Sequence, residues 1–354
     1  MLTRTLRLLV GLAAALAVGS PASVPLHAQS AAPANAGPQS KAAQASPATA
    51  RANTAPSRKT TRRTPWGDPD LEGIWDYKTI TPLERPQNVA GREFLTDEEA
   101  NALETRAGKR LDEPPDPTAP AGGTVHAPYW TDPGRKVLEN KRTSLIIDPA
   151  DGRVPPLTQE AQDRARTGRV GGRNGGDRPG GRADGPEDRS NLERCITQGM
   201  PGATLPTLYN NNIRIVQGPG YVAITHEMVH DTRIIPLDGR APLGSAIRQW
   251  FGDSRGHWDG DTLVVDTTNF TDKTNFRGSG RNLHLVERFT RVDRDTLGFQ
   301  VTMDDPTTWV RPWTVALPMT ASSGLYEYAC HESNLGLLDI LEVARDEDKA
   351  AAKK

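Results

Sequence analysis

Short runs of alternating apolar and polar residues fill the second half of the chain, and their β-branched and aromatic residues favour strands. These runs are NNIRIVQ (211–217), YVAITHEMV (221–229), TRIIPL (232–237), DTLVVDTTNF (261–270), LHLVERFTRV (283–292), GFQVTM (298–303) and YEYAC (326–330). Gly218-Pro219-Gly220, Asp238-Gly239 and Asp259-Gly260 supply turn residues between them. The pattern predicts a mainly β fold, an antiparallel meander closed into a barrel-like or sandwich domain with a few short peripheral helices.

Helical signals are few and lie outside these runs. Thr96 and Glu99 form a capping box that predicts a surface helix over 97–111. Thr158 begins a short second helix through QEAQDRAR, and GLLDILEVARDEDKAAAKK predicts a helix at the C-terminus. In the first half, Gly73-Ile74-Trp75 and the apolar run in RTSLIIDPADGRVPPLT are the two strand signals.

Changes in composition divide the chain into five sections. Two arginines precede a short apolar run and a small residue at Ala28, which is typical of a secretory signal peptide cut near that position. The expected location is therefore the periplasm or the extracellular space. The sections are a signal peptide (1–28), a disordered Ala/Pro/Ser-rich leader (29–63), an irregular N-terminal section (64–166), a Gly/Arg-rich loop (167–187) and the β-rich section with its C-terminal helix (188–354).

Charge and cysteine content narrow the classes of partner. The 43 basic and 44 acidic residues give a formal net charge of −1, which favours neither nucleic acid nor a membrane surface as partner. No apolar segment is long enough to insert in a membrane, no cofactor is indicated, and the oligomeric state stays open. Cys195 and Cys330 predict one disulfide in an oxidising compartment, with two buried free thiols as the alternative.

The stretch THEMVHDTR contains a formal H-E-x-x-H, the helical zinc motif of metallopeptidases. Its neighbours are poor helix formers, so we interpret it as a strand whose inner face carries His226, Met228 and His230. Two histidines four residues apart on a strand are separated by about 13 Å, too far to share one zinc ion. A zinc-dependent hydrolase is therefore only a lesser alternative, and no metal site is predicted.

Two further motifs lack the context that their chemistry needs. Gly252-Asp253-Ser254-Arg255-Gly256 matches the G-x-S-x-G of a hydrolase nucleophile, but no helix follows it. The aspartates from Asp253 to Asp266 have no regular calcium-loop spacing and are typical of turns.

Polar residues next to tryptophans between 225 and 332 carry the candidate chemistry. Aromatic and charged side chains together are typical of a small-molecule or glycan site, although a salt-bridged rim around a tryptophan core is an equal alternative. The candidate ligand-binding residues are His226, Met228, His230, Arg233, Arg255, Trp250, Trp258 and Glu287. The candidate acid–base residues are Asp253, His257, Asp231 and His331.

The segments PLDGR, RQWFGDSRGHWDGDTLVVDTTNF, LHLVERFTRVD, DPTTWVRPWT and YEYACHE together resemble an uncharacterised family of exported bacterial proteins. The resemblance extends from about Trp66 to the C-terminal helix, and it implies one exported domain without naming a reaction. Gly73-Ile74-Trp75 is also similar to the first-strand G-x-W of lipocalins, which implies a lipocalin-like barrel.

Three classes of function follow from these observations. The first is an exported barrel-like protein that binds a small apolar or mixed-polarity ligand in a cavity containing His226 and Met228. The second is a secreted hydrolase or lyase that uses aspartate and histidine for acid–base catalysis, and it requires the candidate side chains to converge. The third is an envelope protein that binds other macromolecules.

Overall fold

The computed structural model describes residues 62–113, 131–166, 183–332 and 334–353, and an eleven-stranded antiparallel sheet is its main element. The strands are β1 Gly73–Asp76, β2 Ile146–Asp148, β3 Asn212–Gly218, β4 Tyr221–His226, β5 Thr232–Pro236, β6 Asp253–Asp259, β7 Thr262–Thr268, β8 His284–Arg291, β9 Thr296–Asp304, β10 Trp313–Ala316 and β11 Met319–Ser322. The helices are α1 Asp97–Asp112, α2 Gln159–Arg166 and α3 Leu335–Ala351.

Two meanders are joined by the first strand. The order across the sheet is β5-β4-β3-β1-β11-β9-β8-β7-β6, and β10 pairs with both β9 and β2. The strand β1 lies between β3 and β11 and pairs with each of them in antiparallel register. The N-terminal section therefore supplies strands to the same sheet as the β-rich section, and Ser57–Lys354 form one compact unit.

The sheet curls until its two outer strands approach each other. On β5, Arg233 points inward and reaches Glu287 on β8 across the interior. On β6, a Cβ atom added to Gly256 would lie 2.8 Å from Cγ2 of Ile235 and 2.6 Å from Cδ2 of Leu237, so glycine permits this close approach. No hydrogen-bonded register joins β5 to β6 in the described ranges, so the sheet is not closed into the predicted barrel.

Buried and more exposed residues alternate along the strands, and the buried ones form the core. Inward-facing positions such as Ile213, Ile224, Phe289 and Val301 are buried, whereas their neighbours along each strand are more exposed. Trp309 and Trp313 are also buried, with ring centroids 5.5 Å apart. The apolar area removed from water here is the main source of stability.

The three predicted helices form close to their predicted bounds. At the start of α1, Thr96 accepts a hydrogen bond from the Glu99 backbone amide and the Glu99 carboxylate accepts one from Thr96, which confirms the capping box. None of the described helices is both long and apolar enough to cross a membrane.

The disulfide prediction is confirmed. Cys195 and Cys330 are bonded, with their Cα atoms 5.7 Å apart. This bond ties the segment after β11 to the loop that precedes β3.

Some predicted elements are wrong or lie outside the described part of the chain. YEYAC forms no strand, because Tyr326 and Cys330 are held in a loop by Glu227 and by the disulfide. The strands β6, β10 and β11 were not predicted, since polar residues and prolines mask their short apolar patterns. The predicted signal peptide, the leader up to residue 61 and residues 167–182 of the Gly/Arg loop lie outside the described residues.

Candidate functional site

The last residue of β4, His226, places its imidazole on the inner face of the sheet, where it is fully buried. Its Nδ1 atom lies 3.0 Å from the carbonyl oxygen of Ala203. Burial and the nearby charge of Arg233 lower the pKa of His226 to about 3, so the ring is neutral. A carbonyl oxygen only accepts, so Nδ1 carries the proton and Nε2 presents a lone pair. Nε2 is buried and has no hydrogen-bond partner in the part of the chain that the structure describes.

A buried ion pair crosses the interior close to this histidine. Arg233 donates two parallel hydrogen bonds to Glu287, at 2.6 Å and 2.9 Å, and both side chains are almost completely buried. Such a pair offsets its desolvation cost only with good geometry, and apolar residues often replace it without loss of stability. The Nε–H of Arg233 is also buried, and no described residue accepts from it. We call His226, Arg233 and Glu287 the interior polar cluster.

Further polar groups face the same interior from β6 and β7. The hydroxyls of Ser254 and Thr267 are 2.9 Å apart and buried. The indole Nε1 of Trp258 is buried and finds no acceptor among the described residues. The ring of Phe251, which lies in the connection before β6, meets His226 edge to face at 5.4 Å between centroids. This aromatic ring covers the histidine from the side of the β5–β6 connection.

The unpaired atoms of the cluster require both a donor and an acceptor. The lone pair of His226 Nε2 requires a donor, whereas the Nε–H of Arg233 requires an acceptor. A hydroxyl group offers both, and the buried core residues are mostly apolar.

The H-E-x-x-H stretch forms no helix. The strand β4 ends at His226, and Met228–His230 make a single helical turn interrupted by Val229 at φ 59°. Met228 is buried as predicted, but His230 is exposed because the chain turns before it could continue the strand face. Glu227 accepts hydrogen bonds from the Asn212 side chain and the Tyr326 amide, so it holds loops together. No group of three or more metal-ligating residues occurs in the described segments.

The residues of the G-x-S-x-G motif have structural partners at the start of β6. Asp253 accepts a hydrogen bond from the Leu243 amide and forms an ion pair with Arg255. Ser254 faces inward and pairs with Thr267, so its hydroxyl is not exposed as a nucleophile would be. Trp250 is partly exposed in the β5–β6 connection.

The four candidate acid–base residues lie apart. Asp253 and His257 are four positions apart on β6, about 13 Å along a strand. Asp231 lies in the β4–β5 turn, where it accepts a hydrogen bond from Thr197, and His331 is exposed beside the disulfide. Burial raises the pKa of Asp231 to about 6. No hydrogen bond joins any two of these four residues in the described part of the chain.

An aspartate–histidine pair does occur at a position that sequence reasoning missed. On the outer face of the sheet, His284 Nε2 lies 2.8 Å from Asp266 Oδ1, with both side chains partly exposed. The two residues are on the neighbouring strands β7 and β8. Only the strand register brings them together, and no motif in the sequence marks it.

No protein-family model and no curated protein matches this chain. The candidate site is therefore defined by its geometry alone.

Proposed function

We propose that this chain is an exported protein that binds a small ligand of mixed polarity at the interior polar cluster. The observation that carries the proposal is the buried Nε2 lone pair of His226, which no group among the described residues satisfies. Native proteins satisfy most buried polar atoms, so this acceptor calls for a donor from outside the described residues, a bound water or a ligand.

The ligand has an apolar body and one hydroxyl or N–H group. The polar group donates to His226 Nε2, and a hydroxyl oxygen also accepts from Arg233 Nε. The Arg233–Glu287 pair keeps that guanidinium fixed, so its orientation is set before the ligand enters. Entry is through the β5–β6 side, where no ladder of backbone hydrogen bonds has to open and where Phe251 covers the histidine.

Export forms part of the same proposal. The Cys195–Cys330 disulfide fits an oxidising compartment such as the periplasm or the extracellular space. The segments from PLDGR to YEYACHE resemble an exported bacterial family, and membership of that family is part of the same proposal.

Native mass spectrometry of protein isolated from the periplasm tests the binding function. We expect a small molecule to remain bound to the wild type and to be lost from His226→Phe, which removes the lone pair. The matched control is His257→Phe, the same replacement at an exposed position on β6. Phe251→Ala provides a second test, since removing the covering ring speeds exchange of the ligand. Equal ligand content in the two histidine variants would contradict the proposal, as would an interior that holds only water.

A hydrolase or lyase is the second candidate, and the Asp266–His284 pair favours it. Asp266 orients the ring of His284 through the 2.8 Å contact with Nε2, as the carboxylate partner of a histidine base does. Turnover of a panel of activated esters and glycosides tests this function. We expect His284→Ala to abolish any turnover and His257→Ala to preserve it, whereas equal rates would exclude the pair as the catalytic base.

A further inference from the structure

A polar pocket of about 270 Å³ lies on the surface between the loop that follows β7 and the turn that follows β9. Its floor contains Asp305 and Thr308, which are buried, and its rim contains Asp272, Arg281 and Asn282, which are exposed. The pocket is separate from the interior polar cluster, because none of that cluster's residues lines it.

The floor of the pocket is rigidly built around Asp305. Its carboxylate accepts hydrogen bonds from the hydroxyls of Ser279 and Thr308, at 2.6 Å and 2.8 Å. It also accepts from the amide and the hydroxyl of Thr307. Three of these four bonds stay within the turn, and the bond from Ser279 joins the loop to it. Asn282 adds a second bond between the two walls, from its Nδ2 to the Thr307 hydroxyl, so the pocket is partly preformed.

Glycine shapes the wall of the pocket at one point. A Cβ atom at Gly280 would lie 2.8 Å from the carbonyl oxygen of Thr274, closer than a side chain tolerates. Only glycine allows the loop to fold this tightly against itself, so the concave shape is specified by the sequence.

The rim offers donors and acceptors that the described residues leave unused. The guanidinium of Arg281 forms no hydrogen bond with any described residue. Asn282 donates through Nδ2 to Thr307, and no described residue donates to its oxygen Oδ1. Among the described residues, Asp272 receives only a hydrogen bond of 3.4 Å from Thr271, on one of its two oxygens. A ligand with several hydroxyl groups satisfies all three groups, because each hydroxyl both donates and accepts.

Charge and size define the ligand class more closely. The lining contains the acids Glu160, Asp272 and Asp305 and the bases Arg164 and Arg281, so it does not favour an anion such as phosphate. Its other lining residues are threonine, asparagine and glycine, which give no aromatic surface for a nucleobase. The volume is slightly below the roughly 300–1,000 Å³ of typical small-molecule sites, which suits a single sugar ring.

We propose that this pocket binds one neutral monosaccharide unit, either free or at the end of a glycan. The expected affinity is in the millimolar range, since hydrogen bonds to a small, well-hydrated ligand give little net free energy without aromatic stacking.

Saturation-transfer difference NMR with glucose, galactose, mannose and N-acetylglucosamine tests the proposal. We expect at least one sugar to bind saturably, and we expect Asn282→Leu and Asp272→Leu each to weaken it about tenfold. The matched control is Asn101→Leu, the same change at an exposed position on α1, and it leaves binding unchanged. Oligosaccharides of the bound sugar distinguish the sources, because a glycan ligand binds more tightly than its free monosaccharide.

Three results would overturn the proposal. They are the absence of saturable binding for every sugar, equal binding by the wild type and both rim variants, and competition by inorganic phosphate. The His226→Phe variant separates this site from the proposed interior function, because it should bind the sugar normally.

Discussion

Among single residues, Arg233 and Glu287 carry the largest expected effect on stability. Arg233→Met leaves the Glu287 carboxylate buried without a partner, and we expect a loss of about 3–5 kcal/mol in the free energy of unfolding. The double variant Arg233→Met/Glu287→Leu removes both charges and should recover most of that loss. Urea unfolding followed by tryptophan fluorescence measures both values.

An exposed ion pair supplies the control for this comparison. Arg288 and Asp259 lie on the outer face of the sheet, and Arg288→Met should leave the free energy of unfolding almost unchanged, because water screens the pair. If the double interior variant were as unstable as the single one, the cost would arise from packing and not from the unpaired charge.

Asp231 gives the molecule a pH-dependent stability. Burial raises its pKa from 3.8 to about 6, so the folded state holds the proton more tightly than the unfolded state. As the pH rises from about 4 to about 6, the unfolded chain loses this proton first, and the contribution of Asp231 to stability falls. Above that window the ionised carboxylate is a constant cost.

Asp231→Asn should remove this contribution while keeping an oxygen that accepts from Thr197. We expect the stability of the variant, relative to wild type, to increase between pH 4 and pH 6 and to stay level above about pH 6. Urea midpoints measured at half-unit pH intervals provide the test, and a constant difference across the series would show that the carboxylate does not titrate in this window.

For the sheet, the contact between β5 and β6 depends on Gly256. A methyl group at this position would overlap the side chains of Ile235 and Leu237, so Gly256→Ala should destabilise the protein by about 1–3 kcal/mol. Gly244→Ala is the control, because a Cβ atom added at this glycine would have nothing within 4 Å of it. Thermal unfolding followed by circular dichroism compares the two, and equal midpoints would mean that β5 and β6 are not packed in solution.

Capping and turn patterns in the sequence correctly predicted features that depend on residues close together in the chain. The capping box at Thr96 and the glycine turns around residues 218–220 and 259–260 involve neighbours in the chain, and these features form as expected. The strand β6 was missed, although it carries four candidate residues, because its apolar positions are replaced by Ser254 and Gly256. The contact between Arg233 and Glu287 depends on how the sheet curves, and the contact between Asp266 and His284 depends on how β7 and β8 are aligned. The apolar pattern of a single strand contains neither kind of information.

The whole molecule is cross-linked by one disulfide that closes a long loop. Cys195 and Cys330 are separated by 135 positions, so the bond removes much of the freedom of the unfolded chain. Cys195→Ser/Cys330→Ser should lower the free energy of unfolding by about 3–5 kcal/mol.

Two measurements test this prediction. Non-reduced peptide mapping should show the peptides of Cys195 and Cys330 joined. Wild-type protein in reductant should then unfold at the same urea concentration as the serine variant, since both lack the bond. Two alkylatable thiols in the oxidised wild type would contradict the pairing.

The central position of β1 has a consequence for the order of folding. The two meanders consist of strands that are close in sequence, so each can form while the chain is still growing. Only β1, four residues long and near the start of the described chain, joins β3 to β11. A continuous sheet therefore has to wait for β11, and a protease that removed the chain through Asp76 would leave two separate sheets with newly exposed edges.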